Sequence, residues 1–200
     1  AGRGFSRGSW EVPRALRREV TERITRDGDV IVPIDLDAVR RELRELVAMG
    51  VEAIAVCFLH AYKNGAHEQA ARDLIRAEYP NLHVSLSSEV VPEIREYERA
   101  STTAANAYVQ PLVDHYIERL DSELRERGFR GRFWLMQSAG GTASPAMARE
   151  FPIRLLESGP AGGALAAALV GRAAGHRDVL SFDMGGTTAK ACLVEGGRPD

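Results

Sequence analysis

The nine residues from Val51 to Leu59 constrain this chain more than any other stretch. They form an apolar run interrupted by one charge, Glu52, and they follow directly on Gly50. A run this short and apolar reads as a strand buried on both faces. Such strands belong to parallel or mixed sheets covered by helices. The flanking sequence agrees. Upstream, Asp35 stands as N-cap to a helix whose Leu36, Val39, Leu43, Leu46 and Val47 share one face, with Gly50 as its stop. Downstream, a second helix is expected from about Ala66 to Tyr79, ended by Pro80, followed by a strand at His83 to Leu86. This helix–strand–helix–strand alternation predicts an α/β fold. Val30 to Val32, between Asp27-Gly28 and Pro33, is also strand-like.

The second half opens with a long helical region, roughly Pro92 to Arg127, stopped by Gly128 and expected to kink or divide at Pro111. A strand at Phe133 to Ser138 runs into Gly140-Gly141, a tight turn. Ala161 to Ala174 reads as a helix of small residues, able to lie very close to its neighbours. The last unit is Val179 to Asp183, then Met184-Gly185-Gly186-Thr187-Thr188, then Ala189 to Val194: strand, glycine turn, strand.

Two hundred residues with 44% hydrophobic content can bury a core, as one domain or one domain and the start of another. The 28 acidic and 26 basic side chains are well mixed, so charge makes no case for nucleic acid or an anionic membrane as partner. No run reaches membrane-spanning length, and Ala1 to Trp10 lacks the apolar core of a signal peptide. Cys57 and Cys192 lie far apart within apolar runs and form no CxxC pair, which predicts buried free thiols in a reducing cytosol. With no initiator methionine and an end just after a strand-like segment, both termini read as cut.

The chemistry concentrates in Asp183-Met184-Gly185-Gly186-Thr187-Thr188. A turn binds phosphate when backbone N–H groups converge on the anion, and glycine lets the chain approach without a Cβ. Threonine hydroxyls add donors. An aspartate ending the preceding strand can hold Mg²⁺ through water, or orient an attacking water. No GxxxxGK[ST] is present and a strand follows, so this is not a P-loop. A plain glycine hairpin is the alternative. Ahead of it, Glu157-Ser158-Gly159-Pro160-Ala161-Gly162-Gly163-Ala164 opens the small-residue helix. Helix then hairpin, in this order, resembles the connecting helix and second phosphate hairpin of the actin-like ATPases.

Further motifs narrow the resemblance. Ser88 to Arg99, Ser101-Thr102-Thr103, Asn106-Ala107-Tyr108, Phe58-Leu59-His60 with Tyr62 and His67-Glu68, Met136-Gln137-Ser138 with Gly140-Gly141, and Ser158-Gly159-Pro160-Ala161 are similar to the hydantoinase A/oxoprolinase family. The resemblance runs in family order from about residue 10 to the end. It implies an ATP-dependent cyclic amidohydrolase of the hydantoinase or 5-oxoprolinase type, cytoplasmic, with ATP and Mg²⁺ as cofactors. Its small-molecule substrate would be a cyclic amide, activated at a carbonyl for ring opening, and a hydantoinase B-type subunit or domain would be its partner. A beta-type subunit of an acetone or ketone carboxylase is the alternative within the family, and a non-catalytic actin-like nucleotide-binding module the alternative outside it.

On this reading residues 1–90 end an N-terminal lobe, and residues 91–200 begin the hydantoinase A/oxoprolinase domain. The latter contains a connecting helix at 159–174 and a phosphate-binding hairpin at 178–195. Asp183 is the catalytic and magnesium-holding carboxylate. Gly185, Gly186, Thr187, Thr188, Lys190 and Gly159 bind the cofactor. Many family members carry an acidic residue where this chain has Lys190, which either adds a cation near phosphate or points to solvent. With only one phosphate hairpin, the isolated 200 residues are expected to be inactive.

The remaining candidates are weaker. Arg95, Glu96 and Arg99 belong to a charged run, with Arg95 and Arg99 four apart and able to share a helix face toward a substrate anion, or toward solvent. Ser101 to Thr103 are expected to cap a helix. His60 and His67 frame a loop and, with Glu68, allow a metal site, but hydrogen bonds to backbone are the simpler expectation. Trp10 and Trp134 are expected in core or interface.

Overall fold

The computed structural model describes residues 12–186 and 188–199, and Trp10 and Thr187 lie outside the described residues. The chain is α/β and divides into two compact units between Pro111 and Leu112.

The first unit begins with a small antiparallel pair, β1 (Arg23–Ile24) and β2 (Val30–Val32). Helix α1 (Leu36–Ala48) follows. The Asp35 carboxylate accepts the Ala38 N–H at 2.9 Å, satisfying one of the donors a helix start leaves open. At its other end Gly50 takes φ 79°, donates to the Val47 carbonyl at 2.9 Å, and Val51 N–H reaches Leu46 at 3.4 Å. That closing pattern needs a left-handed residue, which is why glycine sits there. It recurs at Gly128 and Gly175, which end the two longest helices below.

Strand β3 (Ala53–Val56) pairs in parallel with β4 (His83–Leu86), and α2 (Ala66–Glu78) makes the crossover between them. Parallel pairing demands such a connection. Val39 and Leu43 of α1, Ala71 and Ile75 of α2, and Val56, Val84 and Leu86 of the strands form the core. The run from Val51 is therefore strand over four residues only, because Cys57 onward turns away to form the loop that leads to α2. A short helix, α3 (Ser87–Val90), follows β4 and was not expected from sequence.

Helix α4 (Glu96–Glu126) is continuous over 31 residues and is not divided at Pro111. A proline forfeits one helical hydrogen bond, a local loss of about 3 kcal/mol in a helix interior, and the many remaining turns carry the helix past it. Ser101, Thr102 and Thr103 lie inside α4 and do not cap it. Thr103 instead donates its hydroxyl to the Arg99 carbonyl at 2.7 Å, one turn back.

In the second unit β5 (Leu135–Met136) and β6 (Thr142–Ala143) form a small hairpin over Gly140-Gly141, both with positive φ. Helix α5 (Pro145–Glu150) is capped by Ser144. Helix α6 (Ser158–Ala173) runs into β7 (Val179–Met184), which pairs antiparallel with β8 (Ala189–Glu195), and β9 (Arg198–Pro199) adds an edge. One face of the hairpin packs on α6, with Val194 fully buried; on the other, Leu180, Phe182 and Met184 are exposed. Among the described residues no helix is long and apolar enough to cross a membrane.

The small residues of α6 set its distance from the hairpin. A Cβ built on Gly171 would lie 2.9 Å from Val179 Cγ1 and 3.1 Å from the His176 carbonyl oxygen. Gly171→Ala gains about 1 kcal/mol of helix propensity but incurs an overpacking cost of about 1–3 kcal/mol. The expected result in the full-length protein is a net loss of about 1 kcal/mol, read as a lower thermal midpoint. An unchanged or raised midpoint would show that α6 and β7 are not in this close contact.

Candidate functional site

The hairpin β7–β8 holds the Asp183 motif. Asp183 pairs across the ladder with Lys190, and Met184 with Ala189, so residues 185–188 form the connecting loop. Directly opposed residues project to the same face, which puts the Asp183 and Lys190 side chains together. Gly185 N–H donates to the Thr188 carbonyl at 3.0 Å and closes the turn.

The two turn glycines are not there for backbone conformation, since neither is among the residues with positive φ. What their missing Cβ atoms leave is space. A Cβ on Gly186 would meet nothing within 4 Å, and one on Gly185 only the Thr188 carbonyl oxygen at 3.9 Å. Asp183, Gly185, Gly186 and Thr188 are all exposed, so the loop presents backbone and a carboxylate to an incoming group. Gly159, in the first turn of α6, is exposed in the same way with nothing in its Cβ position.

Lys190 does not hang free. Its ammonium is paired with the Glu157 carboxylate. Glu157 is the residue before α6 and takes φ 62°, ψ 18°, a left-handed conformation that costs an ordinary residue about 1–2 kcal/mol. Its side chain makes no capping bond to its own helix. The sequence reading missed this residue as a site candidate. Its position at the head of the Ser158-Gly159-Pro160-Ala161 motif was the one available signal.

The donor set bears on magnesium. Among the described residues no group of three or more His, Cys, Asp or Glu side chains could hold a metal. Magnesium characteristically takes one or two carboxylates and completes its shell with water and substrate phosphates. A single exposed Asp183 fits an ion that arrives with a nucleotide and does not fit one held by protein alone.

The first unit places the other candidates differently. Arg99 is 2% exposed and Glu68 fully buried. The Glu68 carboxylate accepts from Phe58 N–H at 2.9 Å, Ser87 Oγ at 2.6 Å and Ser88 N–H at 2.8 Å. Arg99 donates to Ser87 Oγ at 3.2 Å, to the Glu93 carbonyl at 2.7 Å and to the Phe58 carbonyl at 3.0 Å, and its guanidinium lies 5.5 Å from the Tyr62 ring centre. Arg95 precedes α4 and does not share a helix face with Arg99; it pairs at 3.5 Å with Glu98 on the surface. Glu96 is the exposed first residue of α4. The three are not brought together as a substrate-binding group.

His60 bonds through Nδ1 with the Ile24 carbonyl at 2.9 Å, and His67 through Nδ1 with Glu22 at 2.8 Å. Trp134 is half exposed. Cys57 and Cys192 are free and partly buried. Burial first, and the Glu68 carboxylate second, push the Cys57 thiol up to about 12.

The α/β fold is similar to that of two solved enzymes described as ATP-dependent. The caprolactamase of Pseudomonas jessenii, described as ATP-dependent, superposes with a TM-score of 0.83 at 36% identity over 96% of this chain and 28% of that one. A nucleotide-free acetone carboxylase gives 0.81 at 31% identity, covering 94% and 28%. In sequence, the caprolactamase subunit alpha is 38% identical over 94% of this chain and 27% of its own length, and the 5-oxoprolinase of Saccharomyces cerevisiae 33% over 84% and 13%. The hydantoinase/oxoprolinase profile matches residues 99–200 and the profile of that family's N-terminal region residues 5–79. The chain belongs to the hydantoinase/oxoprolinase family. It spans about a quarter of the length of curated relatives such as the caprolactamase subunit alpha.

Two outcomes follow for the first unit. Arg99→Ala leaves the Glu93 and Phe58 carbonyls and Ser87 Oγ without their buried donor and is expected to lose about 2–4 kcal/mol, whereas Arg95→Ala stays within about 0.5 kcal/mol. Denaturant titration of both variants separates them, and a stable Arg99→Ala protein would reopen Arg99 as a ligand contact. Cys57, partly buried and with its thiol pushed up by burial, is expected to react much more slowly with alkylating reagent at pH 8.5 in the native protein than on unfolding, as read by peptide mass spectrometry.

Proposed function

We propose that this chain is the part of an ATP-dependent cyclic amidohydrolase that grips the nucleotide's phosphates with the β7–β8 hairpin. The observation that carries the reading is the loop at 185–188. It is open over both glycines, lies beside the exposed Asp183, and sits in a chain with ATP-dependent relatives on the same fold. On this reading the fold is a partial actin-like ATPase: the end of one lobe, α6 as the connecting helix, and the first hairpin of the second lobe.

Each residue has a distinct task. Gly186 and Thr188 offer backbone N–H groups, and Thr187 and Thr188 hydroxyls, to phosphate oxygens, while Gly185, its own N–H closing the turn, lets the anion approach without a Cβ. Gly159 allows the first turn of α6 to approach the same anion, where a helix start favours negative charge. Asp183 holds a magnesium-bound water or orients the attacking one. Lys190 supplies a cation on the same face. ATP, with magnesium, supplies a phosphoryl group that turns an unreactive carbonyl oxygen into a leaving group. The substrate would be a cyclic amide in the cytoplasm, and the partner a B-type second subunit, since relatives such as the caprolactamase alpha subunit and the acetone carboxylase beta subunit are named as subunits.

The match to acetone carboxylase favours one second reading, a subunit in which the same hairpin serves ketone carboxylation. The hairpin's task is the same in both.

The test is magnesium-dependent ATP hydrolysis by the full-length protein with its substrate, wild type against Asp183→Ala. Hydrolysis is expected to fall by about 100-fold or more with fold and assembly unchanged. Unaltered hydrolysis would reduce the Asp183 motif to a turn.

A further inference from the structure

Glu157 spends a charged side chain and a left-handed backbone on something other than its own helix. An exposed ion pair contributes little to stability, and this pair is partly exposed on the lysine side and largely exposed on the glutamate side, with relative accessibilities of 38% and 70%. Its significance lies in what it joins. Glu157 immediately precedes α6, and Lys190 stands opposite Asp183 in the hairpin, two residues beyond Thr188. We propose that Glu157 is a positioning residue, which holds the Lys190 ammonium beside Asp183 and the open loop before nucleotide arrives. The inference rests on the phosphate-binding reading of that loop and adds to it a residue that touches no phosphate.

The physical reason is order. A lysine side chain has four rotatable carbons and a compact charge that water solvates well. Left to itself it samples many rotamers and must be fixed when the anion binds. Glu157 fixes it in advance from a backbone position that is itself unusual. The left-handed backbone aims the carboxylate away from the helix amides and toward β8, which accounts for the missing cap.

A double-mutant cycle in the full-length protein tests this, with KM for ATP as the readout. Glu157→Gln is expected to raise KM about fivefold while kcat at saturating ATP stays within about twofold, the size of effect expected from ordering one long side chain at binding. In a Lys190→Gln background the same substitution is expected to change KM by less than about 1.5-fold, because the residue it acts through is gone. Multiplying effects in the double variant would overturn the proposal, as would an unchanged KM in Glu157→Gln. Asp183→Ala, measured alongside, keeps the two ideas apart. Loss of hydrolysis there with no Glu157 effect removes the positioning role alone. Intact hydrolysis removes the phosphate reading beneath it. Thermal midpoints within a few degrees of wild type for the Glu157 and Lys190 variants confirm that binding, not folding, is being read.

Discussion

The first unit is organised around a carboxylate that never meets water. Glu68 has no exposed surface, yet its three accepted hydrogen bonds come from Phe58 in the loop after β3, from Ser87 and from Ser88. A charge in that position is tolerable only when its lone pairs are occupied by well-placed donors. The carboxylate therefore ties α2, the loop after β3 and the start of α3 into one arrangement. Arg99 extends the arrangement to α4 by way of the Ser87 hydroxyl and two backbone carbonyls. Beyond Arg99 the helix continues the same theme, with Asn106 donating to Ser85 Oγ and Ser85 to Gln110, each at 3.0 Å. Polar networks of this kind specify a unique geometry more than they add stability.

The second unit uses the opposite device. Its close packing comes from the absence of a side chain at Gly171, where a Cβ would lie 2.9 Å from Val179 Cγ1. Close approach at that point leaves the other end of α6 to be placed by the backbone turn at Glu157. The candidate site lies at that end. Its loop and the helix start are held by one contact between charged groups, while the glycines keep the ground above the loop clear.

Much of the fold was legible because local rules and tertiary packing agree. Asp35, Gly50, Gly128 and the face of Val39, Leu43 and Leu46 mark helix ends and a buried stripe without help from distant residues. The hairpin was legible for the same reason. Pro111 does not divide α4, because propensity is a local prior that a long helix can override. Arg99 was harder to read. A charged run looks like a solvated face, and nothing in its spacing reveals that one member turns inward to serve Phe58, 41 residues earlier. Of the candidate site, the residues of the loop were visible as a motif. Glu157 was not, because its part depends on a backbone angle and on an ion pair with a residue 33 positions away.

Pro111 sits near the middle of the 31 residues of α4. In the interior of the helix a carbonyl is braced by the amide four residues on, but the residue-107 carbonyl has no such brace from a proline nitrogen. In mechanical terms the helix is a stiff beam with one compliant joint. Sharp bends in long helices gather at proline in preference to spreading along the length. The proline thus gives the helix a defined place to flex without breaking.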